Sequence, residues 1–235
     1  VMTLVHADNT GLVLPPRVAA VQVVVVPVGI TARTSEEERV RILEAVDRVV
    51  EDLKAAGVRA HADCRDNYTP GWKFAHWEVK GVPIRLEVGP KDLAAQQVRA
   101  VRRLDGTKLD VALASLVEDI CRMLDTIQVD MLAKARAERD AHLRKVATWD
   151  DFTAALEARC MVLAPWCQET ACEDAIKERS ARKAVADGAT EDAKAPSMGA
   201  KSLCMPFEQP ELPAGTACVC CGKPAKIYCL FGRSY

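Results

Sequence analysis

The chain has 235 residues, 49% hydrophobic and 28% charged, with a formal net charge of −1. That much apolar residue allows one large core or two small ones, and the near-zero charge excludes a chain-wide funnel for a polyanion, so any nucleic-acid site must be a local patch. No apolar run reaches the roughly 20 residues that span a bilayer, and ten cysteines without an export signal point to metal or free thiols rather than disulfides.

Residues 1–5 read as a short apolar strand, followed by a turn at His6-Ala7-Asp8-Asn9. A start at Val1, with no initiator Met and no secretory signal, reads as the interior of a longer protein. Residues 21–28, rich in valine and closed by Pro27-Val28-Gly29, predict a buried strand. Ser35-Glu36-Glu37-Glu38 is a capping box. The helix after it puts Leu43, Val46, Val50 and Leu53 on one face, and Gly57 ends it. Residues 58–62 predict a second strand, which makes a βαβ unit.

Residues 67–91 read N-Y-T-P-G-W-K-F-A-H-W-E-V-K-G-V-P-I-R-L-E-V-G-P-K. Tyr68, Trp72, Phe74 and Trp77 crowd together here, interleaved with Lys73, Lys80, Arg85, Lys91, Glu78 and Glu87. Aromatic faces among cationic and acidic hydrogen-bonders suit unpaired bases. Pro70-Gly71 turns the chain into a short helix over 72–80, which Gly81 ends. Residues 82–88 alternate as a strand, with Ile84, Leu86 and Val88 inward and Arg85 and Glu87 outward. An outward arginine can donate two bonds to guanine O6 and N7. A nearby carboxylate can accept from guanine N1–H and N2–H. For the rings alone a core role is the stronger reading, because large aromatics dominate cores. Arg85 and Glu87 then make a same-face ion pair.

Residues 96–103 predict a further strand before a turn at Asp105-Gly106. Arg99, Arg102, Arg103 and Lys108 form a basic cluster, read either as a charged strand edge or as an RNA contact. Asp110 is expected to cap a long helix carrying Leu113, Val117, Ile120, Leu124, Ile127 and Met131 on one face and running past Arg139. From residue 147 the texture changes: a helix opens at Trp149, a strand covers 160–164, a helix 172–183, a loop 187–202, and a final strand lies within 217–231.

Cys167 and Cys172 are separated by four residues, and Cys218 and Cys220 by one. Four thiolates so spaced can close a tetrahedral zinc site whose role is structural, since no coordination position is left open. Cys221 makes Cys218-x-x-Cys221 a rival pair, and reduced, unligated thiols are the remaining reading. Cys64, Cys121, Cys160, Cys204 and Cys229 read as buried small hydrophobes.

Several runs, in order, carry a resemblance: G-L-V-L-P-P-R at 11–17, P-G-W-K-F, K-G-V-P-I-R, A-P-S-M-G-A-K-S-L at 195–203 and the terminal L-F-G-R-S-Y. Through them the chain resembles the C-terminal portion of prolyl-tRNA synthetases of the eukaryotic and archaeal type. The resemblance implies a mixed-sheet α/β anticodon-binding domain followed by a smaller α+β zinc-binding domain. It implies the tail of a class II catalytic domain at 1–20, the anticodon-binding domain at 21–125, a helical connection at 126–146 and the zinc-binding domain at 147–235. It assigns Glu78, Arg85 and Lys91 to the two guanines of the proline anticodon, with Lys73, Trp72 and Phe74 shaping the loop. It assigns zinc to Cys167, Cys172, Cys218 and Cys220, the last favoured by counting back from L-F-G-R-S-Y. It sends the terminal carboxylate of Tyr235 toward a catalytic domain.

No catalytic residue is expected in this chain. Motifs 1 and 2, the motif 3 arginine, ATP and Mg belong upstream, and His6, in H-A-D where the family has H-G-D, receives no catalytic role. The expected partners are the proline tRNA, the upstream catalytic domain and a second copy of the full-length protein, in the cytoplasm and away from membranes. The alternative is a non-catalytic scaffold or regulatory module with a synthetase-like fold, against which intact Glu78, Arg85 and Lys91 argue.

Overall fold

Four consecutive valines organise the first sheet. β1 (Val23–Pro27) is buried at every position, as a strand covered on both faces must be. The computed structural model, which describes residues 1–181 and 199–233, divides into two compact units, Val1–Arg136 and Ala137–Tyr235. In the first, β1 lies between β2 (Ala60–Ala62) and β3 (Ile84–Val88), parallel to both, while β4 (Gln97–Arg102) and β5 (Lys108–Ala112) continue antiparallel. The order is β2-β1-β3-β4-β5, a mixed α/β sheet.

Helix α2 (Glu36–Ala55) starts where Ser35 Oγ accepts from Glu38 N at 3.2 Å. Its buried stripe is Ile42, Val46, Val49, Val50 and Leu53. The stripe turns on Ile42 rather than the expected Leu43, which is half-buried. With Ile120, Leu124, Ile127 and Met131 of α5 (Leu116–Ala141), it packs on the face carrying Val23, Val25, Ile84 and Leu86. Each fully buried side chain of this kind contributes about 1.5–3 kcal/mol. On the opposite face, Val24 and Val26 meet Phe74 and Trp77 of α3 (Pro70–Val79). That face also carries Arg85 and Glu87, the half-buried positions in β3's alternation.

Three expectations change in this unit. Residues 1–5 contribute to a one-turn helix, α1 (Met2–His6), with no buried residue. A strand needs a neighbour to pair with, and here the bonds Val5 N→Val1 O and Ala7 N→Thr3 O satisfy the backbone locally. Asp110 caps no helix. It lies in β5, opposite Arg99 across the turn at Gly106, and α5 begins only after a 3-10 turn at Leu113–Ser115. The three arginines of the basic cluster are tied up in ion pairs: Arg99 with Asp110, Arg102 with Asp105 and Asp130, Arg103 with Asp8.

The second unit builds a four-stranded mixed sheet in the order β6-β7-β9-β8, from β6 (Leu143–Lys145), β7 (Met161–Trp166), β8 (Lys201–Cys204) and β9 (Ile227–Gly232). Helices α6 (Trp149–Glu157) and α7 (Thr170–Ser180) share its core, where Phe152 and Phe231 are fully buried and meet edge to face at 5.6 Å. β6 and β8 are too short to leave a periodic signal in the sequence. Cys160 and Cys229 are buried as expected, but Cys64 and Cys204 are exposed and Cys121 is half-buried. In this unit the loop expected at 187–202 lies mostly outside the described residues.

Candidate functional site

The segment from Asp63 to Val79 is built around one buried carboxylate. Asp63, 1% exposed, accepts from Arg65 Nε at 2.8 Å and Nη2 at 2.7 Å, and from Trp77 Nε1 at 2.8 Å. Lys73, 4% exposed, donates Nζ to the Asp63 carbonyl at 3.0 Å. Burial pushes the Asp63 carboxyl up, but the bonds from Arg65 and Trp77 outweigh it and hold the group well below the usual carboxylate range. Thr69 then caps α3, its Oγ1 accepting from Trp72 N, with Pro70 in the first turn. Lys73 therefore shapes the loop from inside the molecule, while Trp72 is 41% exposed.

The far edge of α3 meets β3. Arg85 Nη1 donates to Glu78 Oε1 at 2.6 Å and Nε to Glu87 Oε1 at 3.1 Å, and the guanidinium lies 3.9 Å from the centre of the Phe74 ring. One face of the arginine is thus seated on an aromatic ring and its edge is aimed by two carboxylates. Glu78 and Arg85 border a cavity of about 370 Å³ with Asp8, Phe74, Trp77 and Arg103. A guanine presents N1–H and N2–H to a carboxylate and O6 and N7 to an arginine. Glu78 and Arg85 carry the chemical complements of both edges, and in the structure each holds the other. Lys91 is exposed on α4 (Pro90–Ala94), past the end of β3, and does not line this cavity.

Arg103, expected only as a member of a basic cluster, stands at this cavity. It donates to both Asp8 oxygens at 2.7 Å, to Thr10 Oγ1 at 2.8 Å and to the Glu78 carbonyl at 3.0 Å. These partners lie up to 95 residues apart, and no local pattern announces them. The Arg103 hydrogen bond, aided by Thr10, holds the Asp8 carboxyl well below its ordinary value. A lowered carboxyl stabilises the fold above its unfolded pKa and loses that contribution as pH falls through the folded one. Asp8→Asn is therefore expected to cost up to about 1 kcal/mol at neutral pH, Asp8 being half exposed. The difference from wild type should shrink as thermal unfolding is repeated from about pH 5 down toward pH 3.

In the second unit, the sulfurs of Cys167, Cys172, Cys218 and Cys221 all lie within 4.8 Å of one another. Cys172 to Cys218 and Cys167 to Cys221 are 3.6 Å apart. Four thiolates about 2.3 Å from a zinc ion stand about 3.8 Å from each other, so this cluster fits a tetrahedral ion. Among the described residues it is the one such group of cysteine, histidine or carboxylate ligands. The member expected at Cys220 is Cys221 instead. Cys218 N bonds Lys223 O at 2.7 Å, Gly222 N bonds Cys218 O at 3.1 Å, and Gly222 takes φ +71°. That tight turn brings Cys218 and Cys221, three apart, to one side and leaves the Cys220 sulfur outside the cluster. Cys220 accordingly meets Arg179, whose Nη1 reaches its sulfur at 3.2 Å and its carbonyl at 3.0 Å, with the guanidinium over Trp149. Burial pushes the Cys172 thiol up strongly. Burial also pushes on Cys218, but backbone N–H groups of Cys221 and Cys220 outweigh it and bring that thiol to about 7. Tyr235 lies outside the described residues.

Residues 22–122 match the family described as anticodon binding domain, and residues 149–235 the family described as prolyl-tRNA synthetase, C-terminal. Across its whole length the chain is 52% identical to a bifunctional glutamate/proline–tRNA ligase of Drosophila melanogaster, 50% to a putative proline–tRNA ligase of Saccharomyces cerevisiae and 46% to a cytoplasmic proline–tRNA ligase of Arabidopsis thaliana. It spans 14%, 34% and 41% of those proteins, so all three extend well beyond the matched region. No helix among the described residues is long and apolar enough to cross a membrane.

Proposed function

We propose, for a chain that belongs to the prolyl-tRNA synthetase family through its anticodon-binding and C-terminal domains, that its task is to hold the proline tRNA by its anticodon. The observation that carries this reading is the Glu78–Arg85 pair, seated on Phe74 at the mouth of a cavity of base size. Glu78 takes guanine N–H donors, Arg85 takes guanine acceptors, and exposed Lys91 supplies a cation to the neighbouring guanine or its phosphate. Trp72 and Phe74 support this face, and Lys73 fixes the loop behind it.

The parent protein is the ATP-dependent proline–tRNA ligase of the cytoplasm, and its adenylate chemistry, Mg and dimer contacts belong to a catalytic core outside these residues. This chain alone binds tRNA without aminoacylating it. Zinc, held by Cys167, Cys172, Cys218 and Cys221, ties the C-terminal unit together; a closed thiolate cage takes no part in catalysis.

Affinity for a proline-tRNA anticodon stem-loop tests the reading. Arg85→Ala and Glu78→Gln should each cost about 1–3 kcal/mol, roughly 5- to 150-fold in Kd. Wild-type binding that both variants match would leave the scaffold alternative standing.

A further inference from the structure

We infer that this unit holds a second nucleotide subsite, separate from the guanine reader, where an unpaired base of the bound tRNA stacks on Tyr68; the inference rests on the tRNA-binding reading above. Tyr68, Trp72 and His76 form a ladder of nearly parallel rings. The Tyr68 and Trp72 centroids are 3.8 Å apart at 13°, and those of Trp72 and His76 are 4.8 Å apart at 16°. Tyr68 is 37% exposed. The Arg65 guanidinium stands 5.0 Å from the Tyr68 centroid and 5.2 Å from that of Trp72. It is almost equidistant from both, so it runs along the edge of the stack and does not cap its end. The buried Asp63 carboxylate fixes that arginine in place.

Tyr68 lines a pocket of about 260 Å³ together with Thr31, Arg39, Arg65 and Asp66. A rigid aromatic ladder flanked by guanidinium groups is the chemistry that stacks a base and meets its phosphate. The pocket also lies where ligands enter open α/β sheets, just past the carboxyl ends of β1 and β2, beside the strand from which the chain crosses over. It shares no lining residue with the Glu78–Arg85 cavity, and its link to the proposed reading face runs through the segment before Lys91. Residues 30–32 form one wall, and Gly29, at the root of that loop, lies so close to Pro90 that a Cβ there would stand 2.9 Å from the Pro90 ring. Lys91 follows directly. A loop nucleotide next to the two guanines can therefore pass Lys91 and reach Tyr68. Stacking is indifferent to base identity, so this subsite adds affinity without adding sequence choice.

The test titrates this chain and its Tyr68→Ala and Tyr68→Phe variants with proline-tRNA anticodon stem-loops, intact or made abasic at one unpaired position at a time. Circular dichroism first establishes that each variant is folded. Tyr68→Ala should weaken the intact stem-loop about 5- to 100-fold, Tyr68→Phe should bind within about twofold of wild type because the ring is kept, and the preference for the two guanines should be unchanged. At one loop position other than the guanines, the abasic RNA should erase the Tyr68→Ala penalty. Full affinity in Tyr68→Ala, with Arg85→Ala still defective, overturns the subsite and spares the guanine reader. A Tyr68→Phe loss as large as that of Tyr68→Ala, or a penalty no abasic position removes, also overturns it. Wild-type binding that ignores the anticodon overturns both readings.

Discussion

Serine in place of Cys172 is expected to unfold the unit Ala137–Tyr235 while leaving Val1–Arg136 folded. Cys172 is buried beside Cys218 within the four-sulfur cluster. The apparent binding free energy of structural zinc, about 10–16 kcal/mol near neutral pH, is as large as the whole stability of an ordinary domain, about 5–15 kcal/mol. The core of this unit includes Cys167, Cys172 and Cys218 themselves, so the ligands are also packing residues. Stripping metal with a chelator should give the same result as the substitution. Metal content and near-ultraviolet circular dichroism check it, with Trp149 and Trp166 reporting on this unit and Trp72 and Trp77 on the other. Cys221→Ser should fail in the same way, whereas Cys220→Ser should retain one zinc per chain, because Cys220 faces Arg179. A Cys172→Ser protein that keeps both its zinc and its melting point would remove Cys172 from the metal site.

Asp63→Ala should cost the first unit at least about 1–3 kcal/mol, since the carboxylate is buried although Arg65 beside it is 40% exposed. Asp63 is the common acceptor for Arg65 and Trp77 Nε1 and lies close to the buried Lys73 ammonium. Its loss strands the Trp77 donor inside the protein, a cost of about 1–3 kcal/mol by itself. The sign of the pH dependence follows from the lowered carboxyl. Its contribution is complete above the unfolded carboxylate value of about 4 and drains away as pH falls below it. Urea unfolding of wild type and variant should therefore differ most at neutral pH and converge in acid. A cost below about 1 kcal/mol, or a difference that grows on acidification, would show that Arg65 and Trp77 find other partners.

Local chemistry made much of this fold legible. The valine run, the Ser35 cap and the alternation through Arg85 and Glu87 each act over a few residues and appear where the residue types place them, whereas α3 begins at Pro70, two residues before the expected Trp72. The reading failed where tertiary pairing decides. Asp110 looks like a helix cap until β4 offers its backbone a ladder and Arg99 offers its side chain a charge. Residues 1–5 have strand composition but no strand beside them. At the candidate site, the same-face pairing of Arg85 with Glu87 was readable, because two residues along a strand share a face. The bond from Arg85 to Glu78 was not, since it depends on how α3 crosses the sheet. Nor could spacing choose between Cys220 and Cys221; the backbone turn at Gly222 brings Cys221 into the cluster.

The measurement that bears most directly on function is a double-mutant cycle between Arg85 and the anticodon. Calorimetric titration would compare wild type and Arg85→Ala against a proline-tRNA stem-loop with its two guanines intact or replaced one at a time by adenine. The guanine reading predicts that one replacement weakens wild type by about 1–3 kcal/mol and costs Arg85→Ala almost nothing further, because the contact is already gone. Equal penalties in both proteins, or no penalty in wild type, would contradict it.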